Sequence, residues 1–197
     1  MSSIKVIALY GKAGAGKDAL LQATMKLAGT ELNEIISCTT RPPRQGEVNH
    51  VNYHFVTLEE FTQMVLKGDM LEATEFRAWW YGTPLLSLDH DKVNIGVFNP
   101  AGMVALKEDP RLEVIPVKVE AADKVRLLRQ LNREDDPDVA EIIRRYQTDE
   151  KDFREYEEEH EDNIFYIENS YGNLETKAEL LLAMSRAFGQ NKLNNID

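Results

Sequence analysis

Gly11-Lys12-Ala13-Gly14-Ala15-Gly16-Lys17-Asp18 is the stretch on which the reading of this chain turns. Its first seven residues follow the G-x-x-x-x-G-K pattern of a phosphate-binding loop, and Asp18 stands where that pattern has a Ser or Thr whose hydroxyl meets magnesium. The context fits the motif. Ile4 to Leu9 is apolar, rich in β-branched residues and interrupted only by Lys5, which reads as a buried strand. After the loop, Leu20, Leu21, Thr24, Met25 and Leu27 recur at helical spacing, so the order is strand, glycine loop, helix. Backbone N–H groups without partners at the helix start then point into the loop, where they and the positive end of the helix dipole attract phosphate oxygens. Lys17 adds a mobile charge for the β and γ phosphates. A glycine-rich turn alone needs no ligand; the flanking strand, the helix and Lys17 together favour a phosphate site.

Composition narrows what the phosphate can belong to. The chain has 197 residues, 43% of them hydrophobic and 29% charged, which suits one soluble domain with mobile insertions. Its formal charge of -11 disfavours a nucleic-acid polymer or an anionic membrane as partner, because the counterion effect that drives such binding needs clustered Lys and Arg. Any anion held here is expected to be small and to sit in a local basic pocket. The single Cys38 excludes an intramolecular disulfide, and no stretch reads as a membrane span or signal peptide, so a reducing, cytoplasmic setting is expected. His50, His54, His90 and His160 lack Cys companions and metal-ligand spacing, so a zinc site is not expected.

Along the rest of the chain, helical and strand patterns alternate as in an α/β protein with a parallel sheet. Glu34 to Cys38 is expected to be a strand, Thr39 to Asn52 a loop, and Tyr53 to Val56 a short strand. Thr57 and Glu60 form a capping box for a helix ending at Gly68. Asp69 to Phe76 and Trp79 to Tyr81 read as an antiparallel pair, and Val93 to Phe98 and Val114 to Val119 return to the parallel sheet. Ala101 to Lys107, Lys124 to Asn132, Val139 to Phe153 and Leu174 to Phe188 read as helices and Ile164 to Ile167 as a last strand, before a polar tail from Gly189.

Ser37-Cys38-Thr39-Thr40-Arg41-Pro42-Pro43-Arg44-Gln45-Gly46-Glu47-Val48, then Tyr53-His54-Phe55-Val56, Glu72 and Tyr81-Gly82-Thr83, together with the glycine loop, strongly resemble the guanylate kinase family. Arg129, Arg133, Arg145 and Asn169 extend the resemblance more weakly into the second half. It implies a three-layer P-loop NTPase sandwich around a central parallel sheet, with a small monophosphate-binding subdomain and a helical lid. On that reading residues 1–197 form one kinase domain, with a core at 1–34, 84–128 and 147–197, the monophosphate-binding region at 35–83 and the lid at 129–146. The partners implied are ATP, magnesium and GMP or dGMP, in a monomer or homodimer.

The residue chemistry agrees. Two arginines on a proline-stiffened loop can grip a phosphate dianion with fork-shaped hydrogen bonds, and tyrosine hydroxyls can complete the shell; Arg41, Arg44, Tyr53 and Tyr81 fit that need and match the family positions that hold the accepting phosphate. A carboxylate can accept both guanine N1–H and the N2 amino group while a hydroxyl donates to O6. The resemblance places Glu72 and Ser37 in those roles, with Thr83 as a further contact. It makes Arg133 and Arg145 lid arginines that neutralise the transferring phosphoryl beside Lys17, with Arg129 assisting and Asn169 near the adenine.

Two departures stand out. Besides Asp18, the strand end at Val97-Phe98-Asn99 lacks the family's aspartates, and Asn99 aligns with one of them. A carboxylate lost there and one gained at Asp18 would leave the charge around magnesium similar. Trp79 and Trp80 are read as packing residues, and the acidic run from Asp149 to Asp162 as a solvated helix face. Two rival functions remain: a non-catalytic binding module on the same fold, and a kinase for another nucleoside monophosphate or a modified base. Lys17 argues against the first.

Overall fold

The computed structural model describes residues 3–43, 46–76, 78–133, 135–159 and 164–190. In chain order its elements are β1 (Ile4–Tyr10), α1 (Lys17–Ala28), β2 (Leu32–Glu34), β3 (Cys38–Thr39), β4 (His54–Phe55), α2 (Leu58–Lys67), β5 (Met70–Phe76), β6 (Trp79–Pro84), β7 (Val93–Val97), α3 (Pro100–Glu108), β8 (Leu112–Glu120), α4 (Asp123–Leu131), α5 (Val139–Glu159), β9 (Phe165–Glu168) and α6 (Leu174–Gly189). A single 3-10 turn, Leu85–Ser87, follows β6. The expected polar tail lies outside the described residues beyond Gln190.

The main sheet has the order β2-β7-β1-β8-β9, and every neighbouring pair in it is parallel. β1 takes the centre because both its faces are apolar. Its side chains alternate between two cores. Ile7 and Leu9 pack with Leu20 and Leu21 of α1 and Leu181 and Leu182 of α6. Val6, Ala8 and Tyr10 pack on the other face with Met103 and Leu106 of α3 and Phe153 and Tyr156 of α5. Helices therefore cover both faces, giving the three layers.

A second, mixed sheet has the order β4-β3-β6-β5. Here β3 runs parallel to β4 but antiparallel to β6, which is antiparallel to β5. The strand expected from Glu34 to Cys38 is split between the two sheets. Ile35 still donates its N–H to the Ile95 carbonyl in the main sheet, while the Ser37 carbonyl already accepts from His54 in the small one. Thr39, expected in a loop, pairs with Tyr81. Because residues 35–37 cross between sheets, Ser37 and the Arg41 turn reach the small sheet within a few residues of the core.

Helix α2 anchors that sheet. Thr57 accepts from the Glu60 N–H and Glu60 answers on Thr57, and Gly68 closes the helix in the left-handed conformation, as the local sequence predicts. Of the two tryptophans Trp80 packs, with its ring 5.9 Å from that of Phe61, whereas Trp79 is exposed.

Candidate active site

The loop after β1 curls because two of its glycines do what other residues cannot. Gly14 and Gly16 have φ of 79° and 91°. A Cβ on Gly14 would fall 2.5 Å from the Arg126 carbonyl oxygen, and one on Gly16 would fall 2.5 Å from Asn169 Nδ2. Lys17 opens α1 and folds its Nζ back onto the carbonyls of Gly11 (2.5 Å) and Lys12 (3.2 Å). Burial lowers its pKa; Asp18 and Asp149 oppose the shift, while Arg145 and Arg126 add to it. Lys17, the loop and these two arginines thus share one electrostatic site.

The loop is braced from behind. Arg129 donates to the carbonyls of Gly14 and Ala15, both at 3.2 Å, and to that of Asn169 at 2.7 Å. Asn169, buried just after β9, donates Nδ2 to the Ala15 carbonyl at 2.8 Å and accepts from Lys177 at 3.1 Å. Both residues were expected at the nucleotide; their side chains here hold the loop itself.

Helix α5 corrects the solvated-face expectation at Asp149 and Glu150. Asp149 accepts from the Ala13 N–H at 2.5 Å, and Glu150 accepts from Lys12 Nζ at 2.6 Å. Phe153 and Tyr156 below them are buried. The spacing already held a hint: Asp149 follows Arg145 by one helical turn, so a helix that brings Arg145 to the loop brings Asp149 with it.

In the small sheet, Arg41 is buried between Tyr53 and Phe55, its guanidinium 5.7 Å from each ring centre. Glu47 holds it at 2.9 Å, a partner the sequence reading did not assign. Tyr53 and Tyr81 meet edge to face with centroids 6.1 Å apart. Burial raises the Tyr53 pKa and the charge of Asp18 adds to it, so the start of α1 lies within electrostatic reach of this aromatic cluster. Arg44, expected beside Arg41, lies outside the described residues.

Glu72 of β5 and Thr83 of β6 face each other across the hairpin. The fully buried Thr83 hydroxyl donates to Glu72 Oε1 at 2.9 Å, and Ser37 Oγ lies 3.5 Å from Thr83 Oγ1. Burial raises the Glu72 pKa, and its bonds to Thr83 oppose the shift. Asn99 caps α3, its Oδ1 accepting from Gly102 at 2.8 Å, and its Nδ2 donates to Thr74 Oγ1 of β5 at 3.2 Å. Asn99 therefore ties the small sheet to the core. Arg133, just past α4, is exposed.

A five-stranded parallel sheet with a glycine loop and Lys17 after its central strand defines a P-loop nucleotide-binding protein of the α/β class. A family model described as guanylate kinase matches residues 3–179. The guanylate kinase of Malacoplasma penetrans is 32% identical over 148 residues, which cover 72% of this chain and 67% of that protein. The chain belongs to the guanylate kinase family. The guanylate kinases of Nostoc sp. and Bacillus subtilis are 42% and 44% identical over 80 residues, and the matches span only 40% and 39% of their length. The crystal structure of guanylate kinase from Anaplasma phagocytophilum shares the fold, with a TM-score of 0.64 at 21% identity over 95% of this chain and 88% of that one.

Proposed function

We propose that this protein transfers the γ-phosphoryl group of ATP to GMP or dGMP. Glu72 is the observation that carries the reading. It is a carboxylate withdrawn from water, held by the Thr83 hydroxyl with Ser37 beside it. Ionised, it can accept guanine N1–H and N2–H together, while a hydroxyl serves O6; adenine would set a lone pair against it. Each buried group left unpaired by the wrong base costs about 1–3 kcal/mol, roughly a 5- to 150-fold preference.

The remaining roles follow the same reading. Arg41, Arg44, Tyr53 and Tyr81 hold the accepting phosphate, within a monophosphate-binding region at residues 35–83. The loop from Gly11 to Lys17 holds the ATP phosphates, and Arg133 and Arg145, from a lid at residues 129–146, neutralise the group in transfer. Arg129 and Asn169 serve by bracing the loop, and Asn99 by fixing the small sheet to α3.

Among the described residues no group of three or more His, Cys, Asp or Glu is arranged to hold a metal ion. Magnesium characteristically takes one or two carboxylates together with substrate phosphates. Asp18, exposed in the first turn of α1 next to Lys17, fits that pattern. The ion would neutralise charge between β and γ phosphates when bound.

Burial pushes the Cys38 thiol up to about 11, which leaves little reactive thiolate; a cytoplasmic setting belongs to the same reading. No helix among the described residues is long and apolar enough to cross a membrane. A monomer or homodimer belongs to the same reading. An assay of ADP release over all ribo- and deoxyribonucleoside monophosphates tests the function. Guanine monophosphates should turn over and adenine ones should not; a chain inactive with every guanine nucleotide ends this reading.

A further inference from the structure

Arg126, on α4, sits where the phosphate loop meets α5, the helix that carries Arg145. Its side chain is only 2% exposed. Nε donates to the Ala13 carbonyl at 3.1 Å, and Nη1 donates to Asp123 at 3.0 Å and to Glu150 at 3.2 Å. The guanidinium lies over the Tyr146 ring, 4.9 Å from its centre. Glu150 takes Lys12 Nζ at 2.6 Å through its other oxygen. One carboxylate of α5 thus joins α4 to the loop.

Stability alone does not explain this arginine. Its Nη2 is buried without a hydrogen-bond partner. An apolar side chain of similar volume would fill the space with neither a buried cation nor an unsatisfied donor. What an apolar side chain cannot do is hold Ala13 and Glu150 at the same time.

Arg145 precedes Asp149 by one turn of α5 and lies close enough to Lys17 to depress its pKa. We propose that Arg126, through Glu150, is a positioning residue for phosphoryl transfer: the pair fixes α5 against the phosphate loop so that Arg145 arrives beside Lys17. This rests on the kinase reading above. The grip on ATP itself is separate, because the loop amides and Lys17 provide it and Arg129 and Asn169 brace the loop from the other side. Small errors in placing a charge are costly in the transfer step and cheap in ground-state binding.

Arg126→Met keeps the bulk and removes the contacts. In steady-state kinetics its kcat should fall about 30- to 100-fold, the scale of an ångström's misplacement. By calorimetry its ATP affinity should stay within about threefold, and its melting temperature should hold or rise. Arg126→Lys should recover part of kcat. Glu150→Gln should lower kcat on its own and add little to Arg126→Met, since the two act as one unit. Unchanged kcat in Arg126→Met, fully additive losses, or a loss confined to ATP affinity would each overturn the proposal. Should Arg126→Met fail to fold, the Glu150→Gln kinetics decide by the same criteria. A wild-type chain without guanine-nucleotide turnover removes the kinase reading instead, so the two failures are told apart.

Discussion

If Glu72 reads the base as proposed, that role conflicts with folding. Burial raises its pKa, so the folded chain binds that proton more readily than the unfolded chain. Its contribution to stability is therefore fully present below the unfolded carboxylate value and is lost as pH rises through the folded one. Glu72→Gln removes the ionisable group while keeping the shape and the Thr83 contact. Thermal melts should show the variant more stable than wild type at pH 8, with the gap closing towards pH 4. Kinetics should move the other way: kcat/KM for GMP should fall about 10- to 100-fold, the scale of one or two lost buried hydrogen bonds, while AMP is discriminated against less. In the wild type, KM for GMP should climb as pH drops through the raised Glu72 value, because a protonated carboxyl cannot accept both guanine donors. A variant with unchanged base preference would remove Glu72 from base recognition.

Elements whose causes are local could be read from the chain, and those settled by distant partners could not. The capping box at Thr57 and Glu60 and the stop at Gly68 are complete within a dozen residues, and α2 follows them. The glycine loop between β1 and α1 is equally local, so Gly11 to Lys17 is placed as its motif predicts. By contrast, the short stretch from Glu34 to Cys38 carries no mark of where the chain leaves one sheet for the other, so one strand was expected where two elements stand. For α5 the helix itself was legible, but its working face was not, because Asp149 meets Ala13 across 136 residues of sequence. Arg126 escaped notice for the same reason: on a helix an arginine is ordinarily a surface residue. The junction of the loop with α4 is testable at this scale. A Cβ on Gly14 would lie 2.5 Å from the Arg126 carbonyl oxygen and 2.9 Å from its Cα, so backbone must separate from backbone. Gly14→Ala should therefore weaken ATP binding by more than about tenfold, through both the clash and the strained positive φ. Calorimetry that finds wild-type ATP affinity would mean that the loop can shift off α4 without cost.

At the scale of the molecule the chain consists of two packed bodies with unequal duties. The main sheet is held by two cores on its faces, and neither of them includes Phe61. Phe61, 2% exposed, instead holds the small sheet, packing near Trp80 and over Gly82, where a Cβ would fall 3.1 Å from its ring. Leu181 of α6, fully buried, belongs to the core behind the phosphate loop. Truncating either residue leaves a cavity costing about 2–5 kcal/mol, so both Phe61→Ala and Leu181→Ala should melt at lower temperature. Their kinetics should differ. Phe61→Ala loosens the hairpin that pairs Glu72 with Thr83 and carries Tyr81, so KM for GMP should rise about tenfold or more while calorimetric ATP affinity holds, a loss of the order of one hydrogen bond's worth of alignment. Leu181 packs in a core that contains no residue of that hairpin. Below its melting temperature Leu181→Ala should keep both KM values and lose only stability, because sites without shared partners contribute independently. Equal KM effects in the two variants would show instead that both bodies melt and bind as one cooperative unit, and the acceptor site would then have no separate anchor.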